Sequence, residues 1–305
     1  MASVEEIKKE INRLKKETDT TILAHAYQGQ DVLEIADIVG DSYGLAVKAQ
    51  NDPKENIIMC GVRFMAETCK ILCPRKHVFL PNPMAGCPMA EQFTKKEVEN
   101  FKKENPEYCV VAYVNTTAKL KTCADVCVTS SCAVEVCRNI ENEKILFIPD
   151  PNLGSYVAEK VPEKQFQFID GGCPYHARMR KENAQKVKEK YPNALLLVHP
   201  ECPKEVVEMA DFVGSTTEIM DYARKSDQKE FIIGTEISIV EHLQFECLDK
   251  QFIPLSNQLL CSDMKATTLM DIYHTLKKEA GEEIILDQDT MDQARHSLEE
   301  MIRLG

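Results

Sequence analysis

Three stretches of the chain share one layout, and nothing else in the sequence restricts the fold so strongly. A strand-like apolar run ends in His25-Ala26-Tyr27, then in Tyr113-Val114-Asn115, then in His199-Pro200-Glu201. Twelve residues after each leading His or Tyr stands an Asp preceded by Ala: Ala36-Asp37, Ala124-Asp125 and Ala210-Asp211. Five residues later comes a hydroxyl, on Ser42, Ser130 or Thr216. A cysteine follows at 62, 60 and 62 residues from the marker: Cys87, Cys173 and Cys261. The markers themselves are 88 and 86 residues apart. Self-similarity at a steady period means one structural unit used repeatedly. The expectation is three similar units about a pseudo-threefold axis, with three equivalent thiols meeting near it.

Each copy alternates continuous apolar runs with helical patterns. The runs are Thr21-Ala24, Ile57-Met59 and His77-Leu80, then Val110-Tyr113, Ile145-Ile148 and Phe166-Ile169, then Leu195-Val198, Phe231-Ile233 and Phe252-Leu255. Apolar strands between helices indicate parallel sheets covered on both faces, so each copy is expected to be a small three-layer α/β/α unit. A capping box, Ser3 with Glu6, opens the first helix. Helices are expected over 32–38, 62–72 and 119–124. Prolines at 106 and 192 stop helices before strands. The units are therefore placed at 1–105, 106–190 and 191–277. The tail 278–305 is a last helix, with Met291, Ala294, Leu298, Met301 and Ile302 at helical spacing, and is assigned to the first unit.

Of 305 residues 44% are hydrophobic, enough for a sizeable core. A net charge of −12 and a pI near 5.2 argue against nucleic-acid or anionic-membrane partners, which need a basic footprint. There is no signal-peptide layout, and no apolar run approaches the ~20 residues of a membrane span. These features lead to the expectation of a cytoplasmic protein. There the 13 cysteines are thiols or ligands rather than disulfides. Most read as small apolar core residues: Cys60, Cys69, Cys73, Cys109, Cys123, Cys127, Cys132, Cys137 and Cys247. The pairs Cys69/Cys73 and Cys123/Cys127 fall in expected helices. Cys202 has no counterpart in the other copies.

In open parallel sheets ligands bind beyond the carboxyl ends of the strands. His25, Tyr27, Tyr113, Asn115, His199 and Glu201 follow the first strand of each copy, and the three matched cysteines follow the last. The hydroxyl turns read as helix N-caps, whose free amides attract carboxylate or phosphate. Three thiolates bind either zinc or an iron–sulfur cluster, and spacing does not choose between them.

At these residues the chain resembles the quinolinate synthase family over nearly its whole length. The matching motifs include Ala24-His25-Ala26-Tyr27-Gln28, Gly40-Asp41-Ser42, Phe64-Met65-Ala66-Glu67, Gly86-Cys87-Pro88-Met89-Ala90 and Tyr113-Val114-Asn115-Thr116. They continue with Val128-Thr129-Ser130-Ser131, Pro149-Asp150-Pro151-Asn152-Leu153-Gly154, Cys173-Pro174-Tyr175-His176, His199-Pro200-Glu201-Cys202-Pro203, Val213-Gly214-Ser215-Thr216, Gly234-Thr235-Glu236 and Cys261-Ser262-Asp263-Met264. The resemblance implies condensation of iminoaspartate with dihydroxyacetone phosphate to quinolinate, for NAD biosynthesis, with loss of phosphate and two waters. It implies a [4Fe-4S] cluster on Cys87, Cys173 and Cys261 with one open iron, and a functional link to an aspartate-oxidising enzyme. Tyr27 and Glu201 are then the proton-transfer residues. His25, Ser42, Tyr113, Asn115, Ser130, His176, His199 and Thr216 form the substrate shell. Glu201 suits a base if burial raises its pKa.

Two other readings compete. One is another three-cysteine cluster enzyme, such as the radical enzyme of diphthamide synthesis, which is expected to lack the His25-x-Tyr27, Tyr113-x-Asn115 and His199-x-Glu201 signatures. The other is a non-catalytic metal-binding module.

Overall fold

A computed structural model describes residues 3–305. They form two compact units. One holds the chain up to Cys87 with 117–119 and 262–295; the other holds 88–116, 120–261 and 296–305. Three mainly parallel sheets carry the three copies, one in the first unit and two in the second.

In the first copy the Ser3–Glu6 capping box is formed, with amide-to-side-chain bonds of 3.2 and 2.7 Å. It opens α1 (Val4–Glu17), followed by β1 (Thr20–His25), α2 (Gln30–Leu33), β2 (Ile38–Gly40), α3 (Ser42–Asn51), β3 (Asn56–Cys60), α4 (Arg63–Leu72) and β4 (His77–Leu80). The second copy runs α5 (Lys95–Glu104), β5 (Tyr108–Tyr113), α6 (Ala118–Lys121), β6 (Val126–Val128), α7 (Ala133–Asn139), β7 (Lys144–Ile148), α8 (Pro151–Lys160) and β8 (Gln165–Phe168). The third runs α9 (Lys181–Lys190), β9 (Leu195–Val198), α10 (Lys204–Val207), β10 (Phe212–Val213), α11 (Thr216–Lys225), β11 (Glu230–Gly234), α12 (Ser238–Glu246) and β12 (Gln251–Pro254). Last come α13 (Leu269–Leu276), β13 (Glu282–Glu283) and α14 (Gln288–Leu304).

Strand order repeats with the sequence: β2-β1-β3-β4, β6-β5-β7-β8 and β10-β9-β11-β12. The central strands are buried beyond their first residue, and β1 throughout, because both faces are covered, which is why they read as unbroken apolar runs. One addition had no signal in the sequence. β13 pairs antiparallel with β4, Glu282 opposite Leu80, and extends the first sheet to five strands.

The repeated Asp has a structural role that recurs atom for atom. Asp37, Asp125 and Asp211 donate their amides to the carbonyls of Ile22, Val110 and Leu196 at 2.8, 2.9 and 2.8 Å. Their Oδ2 atoms accept from the same three residues' amides at 2.9, 2.7 and 2.7 Å. A lysine from the helix before each sheet pairs with each: Lys15, Lys102 and Lys188 at 2.9, 2.5 and 2.8 Å. This latch corrects the helix expected over 32–38. Asp37 pulls the chain alongside β1, so only Gln30–Leu33 is helical and Ile38 belongs to β2. Likewise α6 is shorter than expected, so Cys123 follows it in a turn and Cys127 lies in β6.

The expected capping by the hydroxyl turns is found at two of the three, through residues beside Ser42 and Thr216. Ser42 and Thr216 are the first residues of α3 and α11, and their neighbours Asp41 and Ser215 cap those helices, accepting from Gly44 and Glu218 amides at 2.7 and 3.3 Å. Ser130 lies in the turn before α7, whose cap position is Cys132 with no side-chain cap bond.

In the first unit, Arg295 of α14 donates to the Ile71 carbonyl. In the second, Ser297 Oγ lies 3.2 Å from Cys127 Sγ, and Asn139 Nδ2 donates to the Leu304 carbonyl at 2.8 Å. Among the described residues no helix is long and apolar enough to cross a membrane.

Candidate active site

In the first unit, His25 and Tyr27 stand at the carboxyl end of β1. The Tyr27 amide donates to His25 Nδ1 at 3.1 Å, and the rings meet edge to face at 4.6 Å. The Lys265 ammonium donates to the Tyr27 carbonyl. Accepting at Nδ1 leaves Nε2 to carry the proton of a neutral His25 ring. Ser42 is half-buried at the start of α3, and Cys87 is half-buried on the loop after β4.

The second unit repeats the histidine device. The Glu201 amide donates to His199 Nδ1 at 3.3 Å, so a neutral His199 also carries its proton on Nε2. Glu201 is 4% exposed, yet it is fully engaged. The Tyr113 hydroxyl donates to Oε1 at 2.9 Å, His176 Nδ1 lies 3.0 Å from Oε2, and His199 Nδ1 is 3.8 Å from Oε1. Asn152 Nδ2 donates to the Glu201 carbonyl at 3.0 Å. His176 extends the network, with Nδ1 3.2 Å from Cys173 Sγ and Nε2 3.1 Å from Thr235 Oγ1. The structure thus joins Tyr113, Cys173, His176, His199 and Glu201 into one buried cluster. The ligand atoms of Cys173, His176 and Glu201 lie within 4.8 Å of one another, a spacing that suits a metal ion. Asn115, Ser130 and Thr216 lie on this unit's loops and helix starts. Lys121, fully buried, donates to the Val114 and Thr116 carbonyls at 2.8 and 2.5 Å and fixes the turn that carries Asn115.

Electrostatics corrects the expectation for Glu201. Burial opposes its charge, but His176, His199 and the hydrogen bonds from His176 and Tyr113 outweigh burial and hold its pKa down at about 2. Burial likewise works against a charged His176, but the surrounding Glu201, Asp150 and Glu236 raise it. The carboxyl that does rise is Asp150, pushed up to about 7 by burial and then by the Glu201 charge. Glu201 is held as a carboxylate, and its charge raises the proton affinity of the His176 ring beside it.

Asp150, Thr235 and Glu236 lie in the family-like stretches 149–154 and 234–236, and the sequence alone assigns them no role. Asp150 and Glu236 are 86 residues apart, a spacing of the repeat that marks them as equivalent. Among the other thiols, Cys60, Cys109, Cys123, Cys127 and Cys137 are buried and pushed up by burial, as core residues are. Cys202 is also raised by burial. The three matched cysteines stay half-buried on loops, where a soft ligand is reachable, and thiolates suit iron–sulfur chemistry.

The family model for Quinolinate synthetase A protein (NadA) matches residues 9–303. A quinolinate synthase from Caldicellulosiruptor bescii is 46% identical over 303 residues, covering 99% of this chain and 100% of the relative. One from Clostridium kluyveri is 47% identical, covering 97% of each chain. One from Aquifex aeolicus is 44% identical, covering 99% of this chain and 95% of the relative. With its triplicated sheets and a family match over nearly its whole length, the chain belongs to the quinolinate synthase family of enzymes.

Proposed function

We propose that the protein condenses iminoaspartate with dihydroxyacetone phosphate to quinolinate, phosphate and two waters, as a step of NAD biosynthesis in the cytoplasm. The observation that carries this reading is the buried Tyr113–Glu201–His176 network beside the Cys173 thiol, since condensation with two dehydrations requires repeated proton transfer in a site that also stabilises a leaving hydroxide. Cys87, Cys173 and Cys261 hold a [4Fe-4S] cluster whose open iron supplies Lewis acidity when bound.

The chain's own residues bind, orient and move protons. His25 and His199, each with Nδ1 occupied by a backbone amide, offer Nε2–H to substrate carboxylates. Ser42, Asn115, Ser130 and Thr216 give hydroxyl, amide and helix-start donors to carboxylate and phosphate. Tyr27 and Glu201 transfer protons. The acid–base unit is the Glu201–His176 pair rather than Glu201 alone, because a carboxylate held near pKa 2 is a weak base. His176 Nδ1 holds and passes the proton, and Glu201 Oε2, 3.0 Å away, raises that ring's proton affinity against the effect of burial. Iminoaspartate is a hydrolysable imine, so an aspartate-oxidising enzyme is the natural supplier.

The test is anaerobic incubation of cluster-loaded protein with the two substrates and no S-adenosylmethionine. Quinolinate is followed by chromatography, with iron and sulfide counted in wild type and in Cys87→Ser, Cys173→Ser and Cys261→Ser. Quinolinate from wild type, and loss of cluster in each variant, is expected. Protein that contains zinc and makes no quinolinate would refute the reading.

A further inference from the structure

Two of the three cysteine loops are tied down in the same unusual way. Val62, Asp150 and Glu236 hold one position in the three copies, two residues past the ends of β3, β7 and β11. In the second copy Asp150, fully buried, divides its carboxylate. Oδ1 accepts from the Leu153 amide at 2.9 Å and caps α8, while Oδ2 accepts from the Cys173 amide at 3.0 Å. In the third copy Glu236, 2% exposed, does the same: Oε2 accepts from the Ser238 amide at 2.9 Å at the start of α12, and Oε1 from the Cys261 amide at 3.3 Å. Val62 has no carboxylate to offer Cys87.

A second tie varies by copy for a covalent reason. The Arg63 amide donates to the Ala85 carbonyl at 2.9 Å, and the Ile237 amide to the Leu259 carbonyl at 2.8 Å, each acceptor two residues before its cysteine. The matching residue in the second copy is Pro151, which has no N–H to give. Gln92 takes over there, donating to the Gly172 carbonyl at 2.9 Å and accepting from the Gly172 amide at 2.8 Å. Gly172 has φ +112, and a Cβ there would lie 3.1 Å from Asp150 Oδ2, so this close approach requires glycine.

We propose that Asp150 and Glu236 are positioning residues that aim Cys173 and Cys261 at the iron–sulfur cluster, each by bridging a helix N-terminus to the amide of its cysteine. This rests on the cluster ligands proposed above. A ligand whose backbone is fixed in advance gives up less freedom on binding, and groups behind metal ligands typically contribute about 10–100-fold in affinity.

The variants are Asp150→Asn, Asp150→Ser and Glu236→Gln. Asn and Ser both keep the α8 cap but cannot also accept from Cys173, so the fold survives the loss of the bridge; thermal midpoints check this. In iron-free protein, iodoacetamide labelling mapped by mass spectrometry should accelerate at Cys173 in the Asp150 variants and at Cys261 in Glu236→Gln, with Cys87 unchanged in all. In loaded protein, iron release to a ferrous chelator should speed by about 10-fold, with a shifted cluster reduction potential. Wild-type labelling rates in the variants would overturn the bridges, whatever the fate of the cluster reading. Faster labelling with unaltered iron release and potential would overturn their role toward the cluster. A wild type that takes up no iron–sulfur cluster would overturn the parent reading and this proposal with it.

Discussion

Glu201 shows how far a residue's role can be read before its neighbours are known. Its place after a strand, equivalent to Tyr27 and Asn115, was legible from the repeat. Its charge state was not, because that depends on burial, on His176 and Tyr113 from the second copy and on His199. The expected elevated carboxyl turned out to be Asp150, and the sequence carried a signal for it: Asp150 and Glu236 keep the repeat spacing. The first copy breaks this pattern with Val62. Glu201→Gln should lower the rate of quinolinate formation by about 100-fold or more while leaving iron and sulfide content unchanged. Tyr113→Phe, which removes only the hydroxyl donated to Glu201, should have a smaller effect, about 10-fold, set by one hydrogen bond to a charged group. Steady-state kinetics on fully loaded samples decides both.

Among the elements, long apolar strands were read correctly because burial on both faces writes itself into composition. The edge strands β2, β6 and β10, of 3, 3 and 2 residues, are too short for an apolar run to mark them. They exist because the Asp latch holds them to the neighbouring strand, a contact fifteen residues away that local periodicity does not see. Asp211→Ala removes one such latch and should cost about 1–3 kcal/mol in urea unfolding at pH 7. Burial opposes the Asp211 charge, but the Leu196 amide and Lys188 outweigh burial and lower its pKa. A carboxyl lowered on folding contributes stability above its unfolded pKa and loses it as pH falls through the folded value. The gap between wild type and variant should therefore be full above about pH 4 and close below it. A second triplicate device caps the C-terminal ends of α3, α7 and α11 with a lysine that stands just before the last strand of each copy. Lys250 donates to the carbonyls of Ala223, Arg224 and Ser226 at 2.7, 3.0 and 2.7 Å. Lys164 does so to Ile140 and Asn142 at 2.5 and 3.0 Å, and Lys76 to Asp52 and to Lys54 at 2.6 Å. Lys250→Met keeps the stem and drops the ammonium, and should cost about 1–3 kcal/mol by the same measurement.

For the whole chain, chelation of iron in air should abolish quinolinate formation and lower the thermal midpoint, because a ligand bound only to the folded state stabilises it by mass action. Cys247→Ser, a half-buried thiol outside the repeat, should change neither. The sequence by itself determined the α/β class, the three copies and the matched positions of the strand-end residues and cysteines, because each of these is a periodic or local property of the chain. Tertiary structure alone decided the antiparallel β13, the pairing of Glu201 with His176, the elevated Asp150 and the bridges behind Cys173 and Cys261. Those depend on which distant groups share a desolvated volume, where the cost of an uncompensated charge fixes who bonds to whom.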